Sequence, residues 1–263
     1  MSNSLTFVGT ATTVIDYGGF TVLTDPNFLH RGERAYLGKG LWSRRLTEPS
    51  MGVADLPPLD AVVLSHLHGD HFDRRARKGL DRALPILTTR QAARRLRAWG
   101  FAQAVALDTW TTHELTKDGS VLRVTACPGR HHLGMMQALL PPVMGSVLEF
   151  VPADAAPLTI YITGDTLVHE ALREVPVRYP QLDVGLWHLG GTRVLGALVT
   201  MDAAQGADLW EMVRPQHTVP IHYDDYGVFR SPLADFLAEA ARRGITGVRP
   251  IARGETVPLP VTR

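Results

Sequence analysis

The chain has 263 residues, of which 45% are hydrophobic and 20% charged, with a formal net charge of +1. That is enough chain for a large buried core, and nothing in the overall charge points to nucleic acid or an anionic membrane as partner. The single cysteine, Cys127, excludes a disulfide framework and any cysteine-based zinc site, and reads as a small buried hydrophobe. Residues 1–8 lack a basic start followed by an apolar stretch of signal length, and no apolar run reaches membrane-spanning length. The expected location is therefore cytoplasmic.

In chain order, Leu5–Thr10, Thr13–Tyr17 and Phe20–Thr24 read as strands, the last two joined by the turn Tyr17-Gly18-Gly19. Residues 26–58 have little periodicity and many turn formers, as expected of a long functional loop. Then come a strand at 60–65, a helix at 72–80, a strand at Pro85–Thr88, a helix at Arg90–Trp99 and a strand at Ala104–Leu107. Val121–Ala126 is a further strand, and 128–145 a second loop rich in Pro, Gly and Met. Strands Val147–Val151 and Thr159–Thr163 precede a helix at 166–174 and a strand at Leu182–His188. A helix at 202–213, a strand at Thr218–Ile221, a helix at 233–243 and a strand near Val248–Ile251 complete the pattern. Hairpin-linked strands early, then strands alternating with helices, on both sides of a midpoint near residue 145, predict an α/β fold. Two mixed β-sheets would pack face to face with helices outside, an αββα sandwich. The whole chain reads as a single domain with halves at approximately 1–145 and 146–263.

The most informative stretch is Ser65-His66-Leu67-His68-Gly69-Asp70-His71, with three imidazoles and a carboxylate between a predicted strand and a predicted helix. The ends of parallel strands are where open α/β folds place ligands, and His and Asp suit Zn²⁺ and other borderline divalent ions. Four such residues are too many for one catalytic ion, which takes about three protein ligands, and too few for two. Three later residues also sit just past apolar strands: His131, Asp165 and His222. Seven ligands suit two ions that share one carboxylate. His132 competes with His131, and neighbours on an extended segment point in opposite directions, so one of the two is expected to ligate.

These motifs, in this order, resemble the metallo-β-lactamase superfamily, within it the branch of ascorbate-6-phosphate lactonases and N-acyl-phosphatidylethanolamine phospholipase D-like hydrolases. The resemblance spans nearly the whole chain and is carried by Thr6-Phe-Val-Gly-Thr-Ala-Thr12, Leu23-Thr-Asp-Pro-Asn27, the 66–71 motif, Pro128-Gly-Arg-His131, Thr163-Gly-Asp165 and Ile221-His222. It implies that His66, His68 and His131 hold one metal, that Asp70, His71 and His222 hold a second, and that Asp165 bridges. It favours His131 over His132, and it places Asp25 beside the cluster to orient a ligand imidazole; otherwise Asp25 is a turn residue before Pro26. The cofactor expected is a pair of divalent ions, Zn²⁺ first, with Mn²⁺ and Fe²⁺ as alternatives.

Two such ions roughly 3.5–4 Å apart activate a shared water for hydrolysis, with Asp70 and Asp165 able to orient it or take its proton. His188 ends an apolar strand and reads as a residue near the substrate or a satisfied core histidine. Gly190, Gly191 and Thr192 could offer backbone N–H groups to an oxyanion, although glycines more often serve a turn. From residue 30 to 47, Arg31, Arg34, Lys39, Arg44 and Arg45 face only Glu33, a net of +4. Folded over the metals, that loop would have Arg44 and Arg45 select a small anionic substrate, a phosphodiester or a lactone or other ester. The nine Arg/Lys residues between 73 and 97 are expected on outer helix faces, toward solvent or an acidic partner rather than nucleic acid. The apolar residues of 128–145, including Leu133, Met135, Met136, Leu139 and Leu140, would line a pocket, a dimer contact or a membrane-facing patch. A metal-binding scaffold without hydrolysis and a di-iron oxidoreductase on the same fold are the competing expectations.

Overall fold

The computed structural model describes residues 3–134, 137, 140–194 and 196–260. In chain order the strands are β1 (Ser4–Gly9), β2 (Thr12–Tyr17), β3 (Phe20–Thr24), β4 (Arg34–Tyr36), β5 (Trp42–Arg44), β6 (Ala61–Leu64), β7 (Ile86–Thr89), β8 (Ala104–Leu107) and β9 (Thr112–Lys117). They continue with β10 (Ser120–Cys127), β11 (Gly145–Val151), β12 (Leu158–Ile162), β13 (Val184–His188), β14 (Arg193–Val194), β15 (Ala197–Leu198), β16 (His217–Ile221) and β17 (Thr256–Pro258). The helices are α1 (Arg74–Gly79), α2 (Arg90–Ala98), α3 (Glu174–Arg178), α4 (Ala203–Val213) and α5 (Leu233–Arg243).

Seven strands form one sheet in the order β17-β1-β2-β3-β6-β7-β8, and six form the other in the order β16-β13-β12-β11-β10-β9. Both are mixed: β1–β3 and β9–β12 pair antiparallel, while β3-β6-β7-β8 and β12-β13-β16 pair parallel. Period-2 alternation explains how the layers stack. In β6, Ala61 and Val63 join the core shared with the second sheet, while Val62 and Leu64 face the outer layer with Ala76, Ala92 and Leu96 of α1 and α2. A strand covered on both faces needs an uninterrupted apolar run, which Ala61-Val-Val-Leu64 supplies. On the far side, the Trp187 indole N–H of β13 donates to the Gly206 carbonyl of α4 at 3.2 Å. This is the αββα sandwich expected from sequence. No helix among the described residues is long and apolar enough to cross a membrane.

Several element readings change. The helix expected at 166–174 is instead a 3₁₀ turn at Glu170–Arg173 followed by the short α3. The strand expected at 248–251 is a single bridge from Val248 to Thr218, and β17 supplies the edge pairing to β1. Gly247, at φ 75° and with a would-be Cβ 2.2 Å from the Gln216 carbonyl, turns the chain there. Strand β9 was missed because Thr112-His-Glu-Leu-Thr-Lys117 is half-exposed and mostly polar. Loop 26–58 carries the small β4–β5 hairpin and a 3₁₀ turn at Val53–Asp55. Cys127 is buried as expected, and burial pushes its thiol up to about 12.

Helix α1 starts on Asp73, whose carboxylate accepts from the Arg75 and Ala76 N–H groups, and α2 starts on Thr89, whose hydroxyl accepts from Ala92. These caps fix the segment after the histidine motif. The motif itself crosses from the end of β6 into α1, at the edge where β12, β13 and β16 also terminate.

Candidate metal centre

The structure brings His66, His68, Asp70, His71, His131, Asp165 and His222 together. Nitrogens of His66, His68 and His131 lie within 4.8 Å of one another, as do ligating atoms of His66, His71 and Asp165, and of Asp70, His71 and His222. Three of the five imidazoles are oriented from behind. His71 Nδ1 lies 2.9 Å from Asp25 Oδ2, His222 Nδ1 lies 3.0 Å from the Leu189 carbonyl, and His131 Nδ1 lies 3.3 Å from the Val199 carbonyl. Since those partners only accept, the three rings carry a proton on Nδ1 and turn Nε2 inward, where a metal ion would take its lone pair.

Those lone pairs meet more lone pairs. His71 Nε2 is 3.2 Å from Asp165 Oδ2, and His222 Nε2 is 3.6 Å from Asp165 Oδ1 and 3.7 Å from Asp70 Oδ2. The Nε2 atoms of His71, His131 and His222 and the Oδ1 atoms of Asp70 and Asp165 are all buried without a hydrogen-bond partner. Buried polar atoms normally find partners, and converging lone pairs repel unless a cation lies among them. The donor set of imidazole and carboxylate without thiolate therefore fits divalent metal.

Burial opposes charge on His71 and His222, yet Asp165, with Asp25 and Asp70, raises His71 well above the ordinary histidine range, and Asp165 and Asp70 raise His222, so a proton and a metal ion compete for the same Nε2 atoms. Burial and the neighbouring imidazoles hold His66 well below the ordinary histidine range, and burial beside His131 lowers His68 to about 3. Burial opposes charge on Asp165, yet the His222 and His71 imidazoles hold it well below the usual carboxylate range. Burial likewise opposes charge on Asp25, which His71 and His188 bring down to about 2. The Asp25 carboxylate also accepts from the Ser65 N–H at 2.7 Å and from its hydroxyl at 2.8 Å, and Ser65 Oγ touches His66 Nδ1 at 3.0 Å. Thr200 Oγ1 donates to Asp165 Oδ2 at 3.3 Å. Sequence reasoning missed Ser65 and Thr200; Ser65, adjoining His66, was the more visible of the two.

His188 is fully buried behind His71, bonded to Asp25 at 3.1 Å and to Thr163 Oγ1 at 3.2 Å. His132 turns away, its Nδ1 accepting from the Gly134 N–H at 2.9 Å. Three expectations about substrate contacts are corrected. Arg45 is 0% exposed and bonded inside the protein, so it is not a substrate residue. Arg44 is exposed, lies against Gly32, and does not line the cleft over the His/Asp cluster. The Gly191 N–H is committed to the Met201 carbonyl at 3.0 Å, and Gly190 (φ 100°) lets the backbone pass the His222 carbonyl, 2.5 Å from a would-be Cβ. Neither glycine lines the cleft. Thr192 does line the cleft, and its buried hydroxyl lacks a partner.

That cleft holds about 930 Å³ and reaches His68, Asp70, His131 and Asp165. Its cations are Lys39, Arg94, Arg95 and Arg193, so part of α2 expected to face solvent faces the cleft instead. Leu41, Trp42, Leu67, Leu140 and Pro141 form apolar wall. Met135, Met136 and Leu139 lie outside the described residues.

A sandwich of two mixed sheets with a His/Asp cluster at one edge defines a protein of the metallo-β-lactamase fold. The Beta-lactamase superfamily domain model matches residues 21–223, and the chain belongs to that family. A UPF0173 metal-dependent hydrolase from Deinococcus radiodurans is 28% identical over 199 residues, covering 76% of this chain and 80% of the relative. Among solved structures, isothiocyanate hydrolase from Delia radicum gut bacteria matches at TM-score 0.80 and 24% identity, covering 97% of this chain and 98% of that one. A possible metal-dependent hydrolase from Veillonella parvula matches at TM-score 0.82 and 22% identity, covering 98% and 100%.

Proposed function

We propose that the chain is a metal-dependent hydrolase that works with two divalent ions, Zn²⁺ first among them. His66, His68 and His131 would hold one, Asp70, His71 and His222 the other, and Asp165 would reach both. One observation carries this reading: the five buried donor atoms of His71, His131, His222, Asp70 and Asp165 that converge without partners. The names of the D. radiodurans and V. parvula proteins support the hydrolytic class.

Bound ions supply Lewis acidity, lowering the pKa of water and neutralising charge that develops on a substrate oxygen. The chain's own groups do the rest. Asp25 holds His71 in the tautomer that leaves Nε2 free, and the Leu189 and Val199 carbonyls do the same for His222 and His131. Asp70 lines the cleft and has a second carboxylate oxygen beyond the one given to metal, which suits it to take a proton from the attacking water. Asp165, held by Thr200, is the second candidate for that role.

The substrate is a small anionic phosphodiester, lactone or other ester. Lys39, Arg94, Arg95 and Arg193 receive its charge, in place of Arg44 and Arg45, and the apolar wall receives its body. The test is metal-dependent turnover of bis(p-nitrophenyl) phosphate and a lactone panel by the purified protein. His66→Ala and Asp165→Ala should each abolish it. Full activity in either variant, or tight metal binding with no turnover of any ester, lactone or phosphodiester, would overturn the proposal.

A further inference from the structure

Arg45 follows β5 and is wholly buried, as is its ion-pair partner Asp225, with Nη2 3.6 Å from Asp225 Oδ1. Its other terminal nitrogen, Nη1, donates to the Asn27 carbonyl at 3.1 Å and to the Asn27 side-chain oxygen. Gly9, at φ 138°, makes room: a Cβ there would sit 2.8 Å from Nη2. The site is not optimised for stability. Arg45 Nε and Nη2 have no hydrogen-bond partner, and a buried ion pair is often no better than apolar packing.

Two chains of contacts leave this guanidinium, and each ends on a different part of the metal-ligand set. Along the first, Asn27 Nδ2 donates to the Gly69 carbonyl at 2.9 Å, and Gly69 is the residue between His68 and Asp70. Tyr226 steadies that link, its hydroxyl donating to Asn27 Oδ1 at 3.0 Å. Along the second, Asp225 Oδ2 accepts from the Thr10 N–H at 2.7 Å, and the Thr10 carbonyl accepts from the His222 N–H at 2.7 Å. Thr10 and His222 both stand in the left-handed region, at φ 55° and 63°, without being glycine. Such backbone is strained and persists only where its surroundings fix it. An ammonium could meet one of these arms, but only a planar fork meets both.

We infer that Arg45 is a positioning residue which, through Asn27 and Asp225, sets the 66–71 loop and His222 in one common register, so that the two ligand groups face each other across a fixed gap. The inference rests on the metal reading above. Loss of Arg45 and Asp225 together then weakens metal binding at both positions, even though neither residue touches a ligand side chain.

Co²⁺ binding to the full chain tests it, read by chelator competition and by the visible absorption of the bound ions. Arg45→Met combined with Asp225→Leu cuts both arms and removes the buried pair together, while Arg253, which also reaches Asp225 at 3.0 Å, keeps Asp224 at 3.2 Å. The folded double variant should lose at least tenfold in affinity for each of two ions and show altered bands. Asn27→Ala cuts only the first arm and should weaken binding less; it stands as the test should the double variant not fold. Wild-type affinity and wild-type bands in a folded double variant, or in Asn27→Ala, would overturn the positioning role while leaving the metal centre intact. Absence of Co²⁺ binding by the wild-type chain would instead overturn the metal reading and this inference with it.

Discussion

His71 Nε2 stands 3.2 Å from Asp165 Oδ2 while its other ring nitrogen is held 2.9 Å from Asp25. One imidazole thus spans a residue expected to touch metal and one that only orients it. Asp25→Asn keeps the shape, and asparagine tolerates the φ of 34° found there, but the charge facing His71 and His188 is lost. Metal affinity should fall about 10–100-fold, measured by chelator competition. Unchanged affinity would show that the contact is ornamental.

Stripping the metal should lower thermal stability, because whatever binds only the folded state stabilises it by mass action. The melting temperature should fall with a strong chelator and return on adding Zn²⁺. His66→Ala, which spoils one of the two positions, should show a smaller response to both treatments.

Gly69→Ala should damage the motif by crowding. A Cβ there would lie 2.7 Å from the Tyr36 backbone nitrogen and 2.8 Å from its carbonyl oxygen, neither of which can rotate away. The expected cost is about 1–3 kcal/mol in denaturant unfolding. Gly40→Ala is the contrast, with nothing within 4 Å but a φ of 81° to accommodate.

Glu33 ties the long loop to α1, accepting from Arg75 Nε at 2.8 Å and from the His30 N–H at 2.7 Å. The Arg75 hydrogen bond, helped by His30 and Arg74, outweighs desolvation and lowers the Glu33 pKa from 4.5 to about 2. A depressed folded-state pKa means the contribution is complete above pH 4.5 and fades as pH falls toward 2. Partial exposure limits it to about 1 kcal/mol. Wild type and Glu33→Gln should therefore differ by about that much at pH 7 and converge near pH 2. A constant gap across that range would refute the tether.

Neither Lys39 nor Arg94 has an ion-pair partner among the described residues, and both face the cleft. Replacing both with glutamine should raise KM for an anionic ester about tenfold while leaving kcat and neutral esters nearly unchanged. An equal loss on neutral esters would mean the cations do not read substrate charge.

The ligand cluster was legible because it is local: strand, turn and helix follow one another within residues 60–80, each with its own periodicity and punctuation. The later singles, His131, Asp165 and His222, were legible as polar residues ending apolar runs. Substrate contacts were not. Arg44 and Arg45 are neighbours of the same type in a loop, yet one is exposed and the other fully buried. Sequence carries no signal for a buried arginine, because its acceptors, Asn27 and Asp225, come from distant segments. Helix 166–174 failed for a related reason: Thr166 and Leu167 bond to the Arg130 segment instead of to a following turn.

From sequence alone came the layer architecture and the residues that gather in the His/Asp cluster, since hydrophobic periodicity and residue chemistry act over a few positions. Only the tertiary structure decided which nitrogen of each imidazole turns inward, which arginines reach the cleft, and what joins the 66–71 loop to His222. Those depend on contacts between residues up to some 200 positions apart, such as Tyr226 with Asn27, which exist only once both sheets have packed.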